Sequence, residues 1–551
     1  MNSPTPALVS QREAARLPRL ALIVLIASYI LPGLFRRDPW KSADITAFGY
    51  IVNIAQGKTS WLAPTVGGIP ADGALLPYWI GAVSVKLGSA WFDPAFLARV
   101  PFALLLAVAF ALTWYAAYHL ARSESAQPLP FAFGGEAAPI DYARAIADGA
   151  LLALVASLGL LQLGHETTPE LVQLAAVALY LYGLAASPHR PLHGGIAAAF
   201  AIVALAASGA PSIAMLLAAV GAAVTLRRPS ADAWRLAAWI AIGAALGAVA
   251  ATALHAWANR LGSYQSLAQV VALFRAVAWF AWPAWLLALW TLWQWRRQLS
   301  SQHIVVPLAC AATIGAVWIA MAGSDRALML VLPALAVLAA FALPTLDRGT
   351  AAAIDWFSVF FFTIAAATGW VFYVAMQTGT PAKLAANVAR LSPGYANTFS
   401  LGALVLALAG TIAWLWLVRW RTGRSRHALW KSLVLPAGGV SVCWLLVMTL
   451  LLPPLDNARS YRAMVQRIVR EVPADTCIAA PGMGRAEVVA LEYLGHWRVD
   501  AMTPASRTRC DFLLLARAQK NPGAPWQVLA REQRNRNDDE VTDIYRRIGT
   551  R

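Results

Sequence analysis

The sequence predicts an α-helical polytopic membrane protein. About thirteen spans are expected, with interfacial helices in the first outer loop and a small α/β domain at the C-terminal end. Three observations carry this. Of 551 residues, 59% are hydrophobic and only 13% charged, about half the charged share of a soluble globular chain. Mean hydropathy is +0.58. The apolar residues gather in runs of span length, and the composition changes near residue 454. An ordinary soluble enzyme, a disordered chain and a disulfide-stapled secreted domain are thereby excluded.

The apolar runs cover 20–35, 97–120, 145–163, 169–187, 194–209, 211–226, 234–257, 269–294, 304–322, 327–345, 352–375, 397–418 and 430–452. The first reads as a signal anchor. Ser28-Tyr29-Ile30-Leu31-Pro32 offers no small-x-small cleavage site, and Arg36-Arg37 follows. No internal repeat is visible.

Basic residues fix the orientation, because Lys and Arg collect in cytoplasmic loops. With the N-terminus inside, the inner segments hold seventeen: Arg12, Arg16, Arg19, Arg122, Arg144, Arg190, Arg227, Arg228, Arg235, Arg296, Arg297, Arg348, Arg419, Arg421, Arg424, Arg426 and Lys431. The short outer loops hold four: Arg260, Arg326, Lys383 and Arg390. The net charge of +17 is therefore topological. Basic residues scattered between apolar spans form no continuous groove, so nucleic acid is not indicated as a partner.

Two long segments then lie outside: the loop 36–96 and the tail 454–551. They divide the chain into a membrane domain, 1–453, and a C-terminal domain, 454–551. In the loop, Ile45, Phe48, Ile51, Val52 and Ala55 recur at helical spacing. The stretch 44–56 is therefore expected to lie as an amphipathic helix in the membrane interface. The stretch 73–88, with Trp79 and Lys86, reads the same way, a pair of spans being the alternative.

The tail has 16 Lys/Arg and 12 Asp/Glu. A helix is expected over 457–471 and another over 484–494. Strands are expected at Cys477-Ile-Ala-Ala, Trp497-Arg-Val-Asp, Asp511-Phe-Leu-Leu-Leu-Ala and Trp526-Gln-Val-Leu-Ala, which together suggest a small α/β domain. Gly482-Met-Gly484 reads as a plain turn, since the full Gly-rich phosphate-loop pattern is missing. Cys310 and Cys443 fall inside spans and read as packed residues. Cys477 and Cys510 share the outer tail, where an oxidising compartment favours a disulfide over two buried thiols. No Cys/His spacing fits a zinc site.

Charges at the membrane are costly and therefore informative. On the outer side these are Asp44, Asp72, Arg99, His165, Glu166, Glu170, Arg260, Asp325 and Arg326. Short turns need polar residues, and Glu170 at a helix start favours the positive helix end. Yet His165-Glu166-Thr-Thr-Pro-Glu170 puts three acid or imidazole groups into six residues of one hairpin tip.

Asp44 opens a helix ending in Ala55-Gln-Gly57, followed by Asp72-Gly-Ala-Leu-Leu-Pro-Tyr-Trp79 and Arg99-Val-Pro101. This order resembles the first outer loop of the C-type membrane glycosyltransferases, and within them the family of the lipid A aminoarabinose transferase and the protein O-mannosyltransferases. His165-Glu-Thr-Thr-Pro-Glu170-Leu resembles that family's second acidic loop. Arg326 before Leu328-Met-Leu-Val-Leu-Pro333 resembles its late Arg-containing loop.

The resemblance implies a glycosyltransferase at the periplasmic face of a bacterial inner membrane, its N-terminus cytoplasmic and its C-terminal domain periplasmic. The donor would be a polyprenyl (undecaprenyl) phosphate sugar, and the acceptor a lipid, glycan or protein. Asp44 matches the aspartate that activates or orients the acceptor, with Glu170 as its partner. His165, Glu166 and Asp72 are candidates for acceptor or metal contacts. No cofactor is required, a divalent cation being the one candidate. Three features depart from the pattern. Ile45 follows Asp44 where an acidic pair is common, and Asp72-Gly73-Ala74-Leu75 replaces Glu-Lys-Pro-Pro. Ser208-Gly-Ala-Pro211 lacks a lysine common near the outer end of a middle span. Arg326, Arg260 or Lys383 is left to bind the donor phosphate.

The physical requirements agree with this reading. A polyprenyl tail needs an apolar groove, the leaving phosphate a positioned cation, and the acceptor a carboxylate in hydrogen-bond reach. Direct displacement at the anomeric carbon inverts it. A transporter or flippase for a lipid-linked glycan is the alternative; it would favour ionisable groups at mid-membrane and repeated broken helices. A non-enzymatic assembly or scaffold protein is a third class.

The basic asymmetry predicts that a phosphatase fused after residue 454 is active, and that one fused within 421–428 is silent. Reversed activities would overturn the orientation.

Overall fold

The computed structural model describes residues 5–227, 230–257, 262, 266–321, 323–392, 397–422, 428–516, 522–533 and 541–548. All thirteen apolar runs fall on helices or helix pairs. Among the described residues, eight helices are long and apolar enough to cross a membrane: Pro94–Ala121, Pro169–Ala186, Ala231–Ala253, Gln302–Ala320, Arg326–Thr345, Arg348–Thr378, Leu401–Thr422 and Lys431–Leu450. Four of the remaining runs are shorter or more charged. Arg19–Ile30, Pro191–Ala207 and Pro211–Leu226 are short, and Pro139–Ala156 carries Asp141, Arg144 and Asp148.

The run 269–294, expected as one span, is two helices. Leu267–Phe280 and Ala284–Gln294 meet at 91°. Pro283 at the break brings no backbone N–H, so the helical ladder is interrupted there. Apolar periodicity alone carries straight through such a break.

Pro139–Ala156 is buried along most of its length and packs against Pro94–Ala121, Leu332–Ala340 and Lys431–Leu450. Small residues let other helices approach closely. A Cβ on Gly183 would lie 2.8 Å from the Gly194 carbonyl oxygen, so Pro169–Ala186 and Pro191–Ala207 touch backbone to backbone.

In the first loop, a two-residue ladder joins β1 (Thr65–Val66) to β2 (Ile69–Pro70). The tail has β3 (Cys477–Ala479), β4 (Arg498–Asp500), β5 (Phe512–Ala516), β6 (Trp526–Gln533) and β7 (Val541–Arg547). They form one sheet in the order β4-β3-β5-β7-β6, parallel around β3 and antiparallel beyond β5. Helix Arg485–Leu494 links β3 to its parallel neighbour β4, the connection that parallel strands require. Cys477 and Cys510 are joined by a disulfide. The Gly482-Met-Gly484 turn has its Gly484 N–H donated to Glu487 at 2.9 Å.

The helix expected over 457–471 is two, Leu452–Arg459 and Arg462–Glu471. They part at Ser460, whose hydroxyl donates to Asp38 and accepts from the Arg462 N–H. This tail segment is fastened to the first loop. Arg462 grips Asp38 at 2.8 and 2.5 Å, and Asp456 accepts from the Trp40 indole at 2.7 Å. Glu492 accepts from Asn53 at 3.1 Å and from the Gly67 N–H at 3.0 Å.

Helix Ala43–Ala55, expected to present one face to the membrane interface, has ten of its thirteen residues buried. Helix Leu75–Gly88 covers one side and tail helix Arg485–Leu494 another, with Phe48 edge-on to Tyr493 at 4.7 Å. The open face of the pattern is closed by chain more than 400 residues away. Apolar contact does most of this fastening. Val488 and Val489, which face Gly67 and Gly49 of the loop, are each at most 1% exposed and worth roughly 1.5–3 kcal/mol apiece. The exposed ion pairs contribute about 0–1 kcal/mol each.

Gly49 faces Val489, and a Cβ there would lie 2.2 Å from its Cγ2. Gly→Ala inside a helix ordinarily stabilises by about 0.5–1 kcal/mol. Here overpacking should reverse the sign, with Gly49→Ala destabilising by about 1–3 kcal/mol. Adding Val489→Ala should recover part of this. Thermal unfolding and protease sensitivity of the tail measure both, and a neutral or stabilising Gly49→Ala would refute the close packing.

Candidate functional site

A buried charged cluster lies where the first loop, the second acidic loop and the tail meet. Asp44 sits in the first turn of its helix and is 1% exposed. One carboxylate oxygen accepts from the Thr167 N–H and hydroxyl, both at 2.8 Å. The other accepts from the Trp40 N–H at 3.0 Å and from Arg37 at 3.1 Å. Burial pushes the Asp44 carboxyl up, but Arg37, Arg99 and the Thr167 and Trp40 N–H groups outweigh it and hold it below its ordinary range. Asp44 is thus ionised at neutral pH, with both oxygens engaged.

Arg37 also donates to the His165 carbonyl at 2.9 Å, and its guanidinium lies 4.5 Å from the Trp40 ring centroid. Arg99 donates to the carbonyls of Arg37 and Leu34. Behind Thr167, Glu166 pairs with Arg326 at 2.5 Å and accepts from Gln162 at 2.9 Å. Burial and the Asp44 charge push the Glu166 carboxyl up, against the pull of Arg326 and Gln162. Three guanidiniums, Arg37, Arg99 and Arg326, thus stand among the carboxylates of Asp44, Glu166, Glu170 and Asp456.

Two cavities flank it. The polar one, about 510 Å³, is lined by Tyr50, Tyr78, Glu170, Asp72 and Arg485, among others. Asp72 and Arg485 form a two-point pair at 2.5 and 2.8 Å. Glu170, from the first turn of Pro169–Ala186, has a buried carboxylate oxygen with no hydrogen-bond partner. The apolar one, about 490 Å³, is lined by Leu161, Leu163, Phe280, Trp444 and Met448, with Trp40, Gln162 and Arg459 as its polar members. Trp40 lines this groove and Ser42 the polar pocket, so the strand of chain leading to Asp44 runs between them.

The structure thus gathers Asp44, His165, Glu166 and Arg326 and brings Glu170 and Asp72 to the neighbouring pocket. It does not bring Lys383 there: that residue is exposed on helix Ala382–Leu391, which packs on Arg348–Thr378, and it lines neither cavity. Arg260 lies outside the described residues. The His165 ring is wedged between Tyr29 and Trp444. Its nitrogens face the Leu161 and Tyr29 carbonyls at 2.7 and 2.9 Å. Burial holds this imidazole down at about 4, so it is neutral and satisfies only one of the two. Among the described residues, no group of three or more His, Cys, Asp or Glu is placed to hold a metal.

Sequence reasoning passed over Arg37, Arg459 and Arg485. A signal for the first was present, since the expected orientation puts Arg36-Arg37 outside, against the basic asymmetry, where a cation asks for a partner.

No protein-family model and no curated protein matches this chain. Solved structures do. ArnT from Cupriavidus metallidurans, crystallised bound to undecaprenyl phosphate, superposes with a TM-score of 0.61 at 16% identity, covering 96% of each chain. The same protein in the apo state gives 0.63 at 15% identity, again over 96% of each. The chain has the ArnT fold. The expected fold class, a largely helical body with a small C-terminal sheet, is therefore the one found.

Arg326→Ala would strand the Glu166 charge, which is 1% exposed. A loss of about 3–5 kcal/mol is expected, the usual result of breaking a buried pair. Glu166→Gln in the same protein should restore much of it. Thermal unfolding in detergent tests this. If Arg326→Ala leaves stability intact and changes only donor use, Arg326 serves the ligand rather than Glu166.

Proposed function

We propose that this chain is a membrane glycosyltransferase. It moves a sugar from a polyprenyl-phosphate-linked donor to a lipid, glycan or protein acceptor at the periplasmic face of the inner membrane. The N-terminus is cytoplasmic and the domain 454–551 periplasmic. The single observation that carries the reading is the buried cluster of paired guanidiniums and carboxylates between an apolar groove and a carboxylate-bearing polar pocket. The ArnT fold supports it, as does the undecaprenyl phosphate bound by that neighbour.

In this reading the isoprenoid lies in the groove and the sugar reaches the pocket. The acceptor's hydroxyl or amine attacks the anomeric carbon. The bond from that carbon to the phosphate oxygen breaks, its electron pair leaves on the phosphate, and the configuration inverts. The acceptor's proton passes to a carboxylate. We keep both carboxylates singled out from the sequence, Asp44 and Glu170, and order their roles by their surroundings. Glu170 has an acceptor oxygen to spare and takes the proton. Asp44, saturated by four donors, holds Arg37 and the Thr167–Thr168 turn in place, and thereby the mouth of the pocket. Arg326, partly exposed, keeps Glu166 paired beside the pocket.

Glu170→Gln keeps shape and removes the base. Turnover should fall by about a hundredfold or more, while protein level holds. Asp44→Asn leaves Arg37 and Arg99 without their buried partner and should lower stability and turnover together. Transfer from radiolabelled polyprenyl-phosphate sugars in proteoliposomes reads both. Near wild-type turnover in Glu170→Gln, with loss confined to a well-folded Asp44→Asn, would move the base to Asp44. No transfer by the wild type with any such donor would overturn the reaction class.

A further inference from the structure

Arg459 ends the short helix that joins the last span to the tail, at the polar end of the apolar groove. Its guanidinium is stacked over the face of Trp40, 5.3 Å from the ring centroid, while Arg37 lies 4.5 Å from the same ring. Arg37 is neutralised by Asp44 at 3.1 Å. Among the described residues, no carboxylate or other acceptor engages the Arg459 guanidinium. The nearby carboxylates have other partners: Glu166 has Arg326 and Gln162, and Asp456 accepts from the Trp40 indole and the Asp38 N–H. Glu166 offers Arg459 only a distant charge while bonded to Arg326, and a half-buried cation with no direct partner is costly. The Trp40 ring offers it a cation–π contact but no hydrogen-bond acceptor, so its N–H groups are left for an anion. The groove walls beside it, Trp444, Val447 and Met448 from the last span together with Leu161, Leu163 and Phe280, are apolar. Only an amphiphile with an anionic head satisfies both parts.

We propose that Arg459 is the cation that binds the phosphate of the lipid-linked donor, with the first units of its isoprenoid against Trp444 and Met448. The inference rests on the transferase reading. It assigns the phosphate to a residue of the C-terminal segment rather than to the outer loops. As the anomeric bond breaks, the charge left on the phosphate oxygen falls to this guanidinium, and no proton is required there.

The test uses full-length protein in nanodiscs and labelled polyprenyl phosphate. The competitors are polyprenol, phosphatidic acid and inorganic phosphate. The wild type should bind polyprenyl phosphate, and Arg459→Ala should weaken this by about tenfold or more, a bidentate charge-assisted contact being lost. Arg459→Lys should recover only part. Arg459→Gln, which is shorter but keeps a polar, uncharged stem at this position, should behave like Arg459→Ala at an unchanged melting temperature. Polyprenol should bind wild type and variants alike. Equal binding of polyprenyl phosphate by wild type and Arg459→Ala would overturn the role of Arg459 and leave the transferase reading standing. Competition by phosphatidic acid or inorganic phosphate as strong as that by polyprenyl phosphate would overturn the proposed ligand. A wild type that binds none of these lipids would overturn both.

Discussion

Asp44 and Arg37 carry opposite charges into a place shut off from water, and neither is tolerable there alone. Their contact sets what surrounds them. Thr167 must turn its N–H and hydroxyl inward, Trp40 must offer its backbone N–H, and Arg99 must reach back to the Arg37 carbonyl. Three parts of the sequence are thus pinned to one carboxylate: the segment 37–44, the turn 166–168 and the start of the second span. Glu166 and Arg326 extend the arrangement to the loop before Leu332–Ala340.

This pinned region separates two environments of opposite character. On one side Leu161, Trp444 and Met448 present an apolar wall; on the other Tyr50, Tyr78, Glu170 and Arg485 present a polar one. A substrate that is part lipid and part sugar needs both at once, with a positive region where they meet. Rigidity matters as much as charge here, since groups already fixed by burial need no reorganisation when charge develops on a leaving group.

Much of the helical architecture was legible because membrane spans are local: twenty apolar residues in succession carry their own evidence. Most of the tail strands were legible for a similar reason, as short apolar runs between turns. What escaped was non-local. The buried state of Ala43–Ala55 depends on Val489 and Tyr493, far along the chain, so its helical spacing read as a surface pattern. Strand β7, Val-Thr-Asp-Ile-Tyr-Arg-Arg, alternates with charge and gains its place only by pairing with β5 and β6. The bend at Pro283 was hidden by apolar residues on both sides. In the site, Asp44, Glu166, Glu170 and Arg326 stood out as charges at membrane ends. Arg459 did not, because its surroundings come from Trp40 and from a groove that no linear pattern describes. Lys383 was sought as a cation on charge alone and stands at the surface.

The polar pocket is closed by both ends of the protein. Tyr461 and the stretch 484–487 complete a wall whose other members, from Ser42 to Ser208 and Gly209, are made hundreds of residues earlier. During synthesis the membrane helices can therefore insert while the cavity still gapes. Only after Tyr461 and residues 484–487 have emerged and folded can that wall be in place. A molecule truncated before Tyr461 would lack that wall and keep only the side of the pocket built from Ser42 to Gly209.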